Sequence, residues 1–161
     1  MPVEIERKFL VEVPPPASVL GVGEAIRQGF IAEEGDAEVR LRITGEVSVV
    51  TIKAGRGARR TEVEVAIARE SAEELWPATD GRRIDKTRHR VQLPGGADGS
   101  VLVAEVDLYA GSLAGLCTVE VEFDSEQASS AFVPPDWFGR ELTGDTAWSN
   151  AALARHGRPP S

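Results

Sequence analysis

The sequence is poor in the residues that several common kinds of chemistry require. It has one cysteine, Cys117, and two histidines among 161 residues. One cysteine excludes an internal disulfide, and so few thiol and imidazole groups make a zinc site unexpected. No Ser/His/Asp or Cys/His constellation indicates covalent catalysis. A Walker-type phosphate loop is also missing, because Gly55-Arg56-Gly57 is too short to form one.

Long hydrophobic runs are missing as well. The acidic start of the chain, Met1-Pro2-Val3-Glu4, predicts neither a signal peptide nor a membrane span, so we expect a cytoplasmic protein. Basic residues are the minority charge, since 18 Lys and Arg stand against 26 Asp and Glu for a formal net charge of −8. This balance argues against a broad nucleic-acid groove. A small anionic ligand stays compatible with it, because a local basic pocket can lie inside an acidic protein.

What the chain has in abundance is alternation with a period of two, the sequence signature of β-strands. Turn-forming residues such as Gly45 separate several of the alternating stretches. Eight strands are predicted, over residues 3–10, 26–34, 37–44, 46–54, 59–68, 83–93, 100–109 and 116–124. We therefore predict a single domain over residues 1–161, of class α+β, built on an antiparallel sheet.

Helical patterns are few and lie mainly in the second half of the chain. One helix is expected to begin at Ser71, where Glu74 three residues later would complete a capping box. It should kink or end at Pro77, with Gly81 as its latest stop. Three more helices are predicted, over 125–132, around Trp137 and over 146–155.

Charged residues occupy one face of most predicted strands, and their signs largely segregate by strand. Arg40 and Arg42 share a face of one strand, as Glu120 and Glu122 do in another. For any single strand, the ordinary alternative is a solvated charged face over an apolar core. However, a solvated face would mix in Ser, Thr, Asn and Gln, and like charges at i and i+2 repel each other. A divalent cation between the carboxylates and a polyanion between the guanidinium groups would neutralise both kinds of row.

We therefore predict that the charged faces line the inside of a closed eight-stranded barrel and that the apolar faces point outward. An apolar outer surface cannot stay bare in water. Predicted helices could cover part of it and a second subunit the rest, so a homodimer is among the expectations. The side chains expected to provide cover are Leu75, Trp76, Phe132, Trp137, Phe138 and Leu153.

Such an interior suits a metal-bound chain of phosphates. Arg binds phosphate oxygens through two parallel hydrogen bonds and Lys acts as a point charge, while carboxylates are hard ligands for Mg²⁺ or Mn²⁺. The reaction that such a site supports is phosphoryl transfer to water. The inward basic set is Lys8, Arg40, Arg42, Lys53, Arg60, Lys86, Arg88 and Arg90. The inward acidic set is Glu4, Glu6, Glu38, Glu62, Glu64, Glu105, Asp107, Glu120 and Glu122.

Seven short motifs in order resemble those of one family. Glu4-Ile5-Glu6-Arg7-Lys8 resembles the N-terminal ExExK signature of the CYTH superfamily, the triphosphate tunnel metalloenzymes. The resemblance extends along nearly the whole chain. The further matching segments are 39–42, 51–53, 60–64, 86–90, 105–107 and 119–123, with a closing segment at 143–153.

The resemblance implies an eight-stranded tunnel and metal-dependent hydrolysis of inorganic triphosphate to pyrophosphate and phosphate. The chain looks most like the small bacterial inorganic triphosphatases. The implied metal ligands are Glu4, Glu6, Glu120 and Glu122, with Asp107 either in the metal shell or orienting neighbouring Arg and water. The implied phosphate ligands are the eight residues of the inward basic set. The implied catalytic residues are Glu62 and Glu64, for a second metal or its water, and Lys86 or Lys53 as a base.

Other functions stay open at this stage. A class IV adenylyl cyclase would need a pocket for adenine, and no aromatic pair is placed to supply one. Thiamine triphosphatase activity and a non-catalytic polyphosphate-binding module are further alternatives. The binding module would not need every acidic pair, so the presence of four such pairs favours catalysis. Phe30 departs from the Tyr that close relatives often carry, and it cannot donate a hydroxyl hydrogen bond.

Overall fold

A computed structural model describes residues 5–55, 61–94, 99 and 101–160. Eight strands form one sheet, in the order β1-β8-β7-β6-β2-β3-β4-β5, and all neighbouring strands are antiparallel. The strands are β1 (Ile5–Leu10), β2 (Gly23–Glu34), β3 (Ala37–Thr44), β4 (Val47–Ala54), β5 (Thr61–Ile67), β6 (Arg83–Leu93), β7 (Leu102–Tyr109) and β8 (Cys117–Phe123). The eight predicted strands and the antiparallel α+β class are confirmed, although several strand ends differ by a few residues.

The sheet curls into a tunnel with its charged faces inside, but hydrogen bonds do not close it. β1 and β5 are its two edges, and no ladder joins them among the residues the structure describes. The expected closed barrel is wrong in this respect. The outer edge of β1 is already occupied, because the N–H of Leu142 donates to the carbonyl of Lys8 at 2.7 Å and Gly139 donates to Leu10 at 2.8 Å. At Lys8 and Leu10 the edge of β1 is therefore not available for pairing with β5.

In the part of the chain that the structure describes, four short α-helices and three 3₁₀ turns connect and flank the strands. The α-helices are α1 (Ala17–Leu20), α2 (Arg69–Leu75), α3 (Glu126–Ala131) and α4 (Asn150–His156). The 3₁₀ turns are Trp76–Thr79, Gly111–Leu113 and Thr146–Trp148. Within the described ranges, no helix is long and apolar enough to cross a membrane.

The helix predicted at Ser71 begins earlier than expected. Ala68 is the N-cap of α2 and makes no side-chain cap hydrogen bond, so the predicted capping box of Ser71 and Glu74 is wrong. The predicted end is confirmed, since the α-helix stops before Pro77 and continues as a 3₁₀ turn. Proline removes the N–H that an α-helical hydrogen bond would need.

The two predicted helices nearest the C-terminus also differ from the structure. Trp137 lies in a turn and not in a helix, because the chain directly after it extends along the edge of β1. The helix predicted over 146–155 is divided at Ser149, whose backbone is extended and whose hydroxyl accepts a hydrogen bond from the N–H of Ala152. Ser149 thereby acts as the N-cap of α4.

Two hydrophobic clusters cover much of the outer face of the sheet. The larger contains outward residues of β1, β6, β7 and β8, with Phe138 buried in it and Phe132 and Trp137 packed against it. A smaller cluster places α2 and Trp76 over β3 and β4. These aromatic residues give the cover predicted for them. Leu75 stays partly exposed, and Leu153 packs elsewhere, in a cluster that closes one end of the tunnel.

Outward residues of the sheet should differ sharply in their contribution to stability. Leu41 is 0% exposed beneath α2, whereas Val63 on β5 is 48% exposed. We expect Leu41→Ala to lower the free energy of unfolding by about 2–5 kcal/mol and Val63→Ala to change it by only about 0.5 kcal/mol. Urea denaturation checks both values. A large, concentration-dependent loss in the Val63 variant would instead show that a second copy covers this face.

Candidate active site

The inside of the curled sheet is a cavity of about 940 Å³ whose walls are strongly charged. Strand alternation explains this lining, since residues two apart on a strand share a face. The charged lining residues are Glu6, Lys8, Glu33, Glu38, Arg40, Arg42, Lys53, Glu62, Glu64, Lys86, Arg88, Glu105, Glu120, Glu122, Glu126 and Asp145. The structure thus brings most of the predicted site residues into one cavity and confirms the charged interior.

Two of the predicted site residues that the structure describes, Asp107 and Arg90, are not among those that line it. Asp107 is 1% exposed and lies on the inner face of β7, where the side chains of two lining cations, Lys86 and Arg88, cover it. Arg90 lies at the open end and pairs with Glu24 and Glu105. Glu4 and Arg60 fall outside the residues that the structure describes.

Exposure along β6 shows that the cavity has one closed end and one open end. The exposed fraction of the side chain rises from 2% for Lys86 to 14% for Arg88 and 57% for Arg90. The closed end is capped by a hydrophobic cluster. In it, Ile84 of β6 and Tyr109 of β7 pack with Trp148 and other residues of the C-terminal segment. A ligand would therefore enter past Arg90 and reach Lys86 last.

Asp107 holds the two cations nearest the closed end. Its carboxylate accepts hydrogen bonds from Lys86 Nζ at 2.6 Å and from Arg88 Nε and Nη2 at 2.7 and 2.8 Å. Burial alone would raise the pKa of Asp107, but the hydrogen bonds and charges of Arg88 and Lys86 outweigh it and keep that pKa below its ordinary value. Because both oxygens are engaged, the geometry favours the orienting role over direct metal ligation.

For a cationic side chain, burial shifts the pKa downward, because it disfavours the charged form. Burial lowers the pKa of Lys86 below its ordinary value, although the adjacent Asp107 partly opposes the shift. Burial likewise lowers the pKa of Arg40. Lys86 and Arg40 are therefore cations with little hydration, and such groups gain most from a bound anion.

Elsewhere in the cavity, ion pairs join basic residues of one strand to acidic residues of another strand. Lys8 pairs with Glu120 at 3.3 Å, Lys53 with Glu62 at 3.2 Å and Arg42 with Glu64 at 3.4 Å. These pairs place a carboxylate beside nearly every phosphate-binding candidate. The cavity therefore offers ligands for a polyanion and ligands for a cation side by side.

Like charges also face each other across neighbouring strands. Glu6 lies directly opposite Glu122 in the β1–β8 ladder, and Glu105 lies opposite Glu120 in the β7–β8 ladder. Such pairs are destabilising unless a cation neutralises them. No group of three acidic or imidazole side chains within the described part of the chain is close enough to hold a metal ion. The carboxylate donor set nevertheless fits a hard divalent cation.

The structure adds lining residues that sequence periodicity did not identify. A register shift between Phe30 and Ala32 adds one residue to β2, so Glu33 turns into the cavity, where it pairs with Arg155 of α4. Asn150 lines the closed end and accepts a hydrogen bond from the Tyr109 hydroxyl. Gly29 directly precedes the bulge, and an isolated glycine inside a predicted strand is the local signal that could have indicated it.

Comparison with known proteins identifies the family to which this charged tunnel belongs. The family model that matches residues 2–142 is that of the CYTH domain. The chain belongs to the CYTH domain family. This confirms the resemblance drawn from the seven motifs. CYTH triphosphatases depend on metal ions in general.

Two similar proteins of known name are inorganic triphosphatases. One, from Nitrosomonas europaea, is 46% identical over 94% of this chain and 96% of its own length. Another, from Acetivibrio thermocellus, is 34% identical over 95% of this chain and 94% of its own. The crystal structure of the inorganic triphosphatase NE1496 matches 96% of both chains, with a TM-score of 0.73 and 43% identity. The PH1012 protein of Pyrococcus horikoshii, at 16% identity and a TM-score of 0.51, shows the fold alone.

Proposed function

We propose that this CYTH protein is a divalent-metal-dependent inorganic triphosphatase that hydrolyses tripolyphosphate to pyrophosphate and phosphate. The observation that carries the proposal is a single cavity in which rows of cations and rows of carboxylates face one another. Similar proteins that span nearly the same length are inorganic triphosphatases. An elongated polyanion with a bound cation is the ligand that matches both kinds of row.

The phosphate chain would lie along the basic rows, from the closed end to the mouth. Arg40, Arg42 and Arg88 would bind phosphate oxygens with their guanidinium forks. Lys8 and Lys53 would act as point charges, as would Lys86 while it carries its proton. Arg90 would receive the chain at the mouth, and Arg60 completes the proposed set. Asp107 would keep Lys86 and Arg88 in place while the substrate binds.

The proposed metal ligands are Glu6, Glu120 and Glu122, together with Glu4. Their oxygens suit Mg²⁺ or Mn²⁺, and the like-charged pair of Glu6 and Glu122 would be relieved by such an ion. A bound divalent ion supplies charge neutralisation and lowers the pKa of its water. Glu62 and Glu64 would serve a second ion or orient the attacking water.

The proton of the attacking water needs an acceptor, and Lys86 is a better candidate than Lys53. Burial lowers the pKa of Lys86, which raises the fraction in the neutral form that can accept a proton. Attack of water on a terminal phosphorus would break its bond to the bridging oxygen, with pyrophosphate as the leaving group. Lys86 would take the water proton, and Arg88 beside it would stabilise the developing negative charge.

The direct test is phosphate release from tripolyphosphate, with ATP and thiamine triphosphate measured in parallel. We expect release with Mg²⁺ or Mn²⁺, selectivity for tripolyphosphate, and loss of activity in EDTA that either ion restores. Binding of tripolyphosphate without turnover would contradict the proposal in favour of a binding module. Formation of cyclic AMP from ATP would contradict it in favour of a cyclase.

A further inference from the structure

One side chain in the cavity wall carries a hydrogen-bond donor that no other residue of the described ranges satisfies. Gln28 lies on the inner face of β2 and lines the cavity, yet it is only 3% exposed. Its Nε2 is buried and has no hydrogen-bond partner. Buried amide groups are nearly always hydrogen-bonded, so such an exception needs an explanation.

The neighbours of Gln28 on the inner face explain why the donor has no partner. Gln28 lies opposite Arg42 on β3 and opposite Ile84 on β6, with Ile26 and Phe30 two residues away along its own strand. Arg is a donor only, and the other three side chains are apolar. These four neighbours therefore offer the amide no side-chain acceptor.

A second unsatisfied donor lies close by. Nε of Arg40 is also buried without a partner, and Arg40 faces Phe30, one step along the same ladder from the pair of Gln28 and Arg42. On the neighbouring strand at the other edge of β2, Lys86 of β6 lies directly opposite Ile26. Residues at these diagonal positions are within reach of one ligand. The unsatisfied donors of Gln28 and Arg40 thus lie beside two further cations, Arg42 and Lys86. Together these groups can bind an oxyanion.

We propose that Gln28 is a further substrate-binding residue, whose amide donates a hydrogen bond to a phosphate oxygen held between Arg42 and Lys86. The inference rests on the proposed function and deepens it. A neutral amide adds no charge to the cavity, so its contribution is directional. It selects a phosphoryl oxygen at one position along the chain of phosphates, while the neighbouring cations attract any polyanion.

The test replaces Gln28 by methionine, which has a similar shape and no donor, and by glutamate, which keeps an acceptor but loses the donor. We expect Gln28→Met to raise the KM for tripolyphosphate about tenfold, the effect of one hydrogen bond to a charged group, with kcat nearly unchanged. Gln28→Glu should raise KM further, because its carboxylate repels the substrate. Gln92→Met is the matched control, since Gln92 is an exposed residue of β6 that does not line the cavity.

Thermal unfolding separates a binding role from a structural one. Without ligand, Gln28→Met should be at least as stable as the wild type, because an unsatisfied buried donor is removed. With tripolyphosphate and Mg²⁺, its gain in Tm should be smaller than that of the wild type. Equal KM and equal ligand-induced shifts in the wild type and Gln28→Met, or a loss of stability in the free protein alone, would overturn this inference and leave the triphosphatase standing. A wild-type protein that neither binds nor hydrolyses tripolyphosphate would overturn both.

Discussion

Asp107→Asn is expected to lower the free energy of unfolding by about 3–5 kcal/mol, because it breaks a buried ion pair on one side only. Lys86 and Arg88 both bond to this carboxylate, and Asp107 and Lys86 are almost fully buried. An amide of the same shape cannot compensate two positive charges in a site that is so little exposed to water. Triphosphatase activity should fall with stability, since the two cations lose the group that orients them.

Glu105→Gln is the matched control for this change. Glu105 also bonds to Arg88, at 3.0 Å, but its side chain is 28% exposed. Water can replace much of that interaction, so we expect a loss of less than about 1 kcal/mol. Urea denaturation of both variants and the wild type gives the comparison. Equal losses in the two variants would contradict the special position of Asp107.

The contribution of Asp107 should also depend on pH in a defined direction. Its pKa is lower in the folded protein than its ordinary value, so the unfolded chain binds the proton more readily. The stabilisation is therefore complete above the unfolded pKa of about 3.9 and is lost as pH falls through the lower folded value. The difference in unfolding free energy between wild type and Asp107→Asn should narrow below about pH 4. A difference that widens in acid would contradict this assignment.

Glu122→Gln is expected to abolish most of the activity without harming the fold. Glu122 lies directly opposite Glu6, and it is a proposed metal ligand. Removal of one carboxylate relieves repulsion in the metal-free protein, so stability there should be unchanged or slightly higher. Loss of one metal ligand should lower kcat/KM at least about 100-fold, which is about 2.7 kcal/mol of transition-state stabilisation.

Thermal unfolding with and without Mn²⁺ checks the metal-binding part of this prediction. The wild type should gain stability with Mn²⁺, because an ion that binds only the folded state stabilises it, and Glu122→Gln should gain much less. Glu74→Gln, an exposed change on α2 outside the cavity, should behave like the wild type in both assays. A Glu122 variant that keeps full activity and a full Mn²⁺ response would remove Glu122 from the proposed metal site.

Much of the tunnel lining could be predicted from the sequence, because side chains alternate between the two faces of a strand whatever its neighbours are. Arg40 and Arg42 share a face wherever the strand lies, and so do Glu120 and Glu122. The repulsion within each row argued for an inward orientation, which the structure confirms. The helical predictions were weaker because caps and turns depend on context. Ala68 begins α2 without a side-chain cap, and Trp137 ends in a turn because the chain next to it pairs with β1.

The sequence by itself determined which side chains share a strand face. It thereby also determined that rows of like charge need a bound ligand of opposite charge. Only the tertiary structure decided which rows meet, because β2 pairs with β6 and β1 with β8 across long stretches of chain. That pairing places Gln28 among neighbours without an acceptor and lets one buried Asp107 hold two cations. The bulge that turns Glu33 inward, and the C-terminal segment that occupies the edge of β1, likewise depend on contacts between distant residues. Alternation reports which side chains lie on the same face of a strand, but it carries no information about the register between strands.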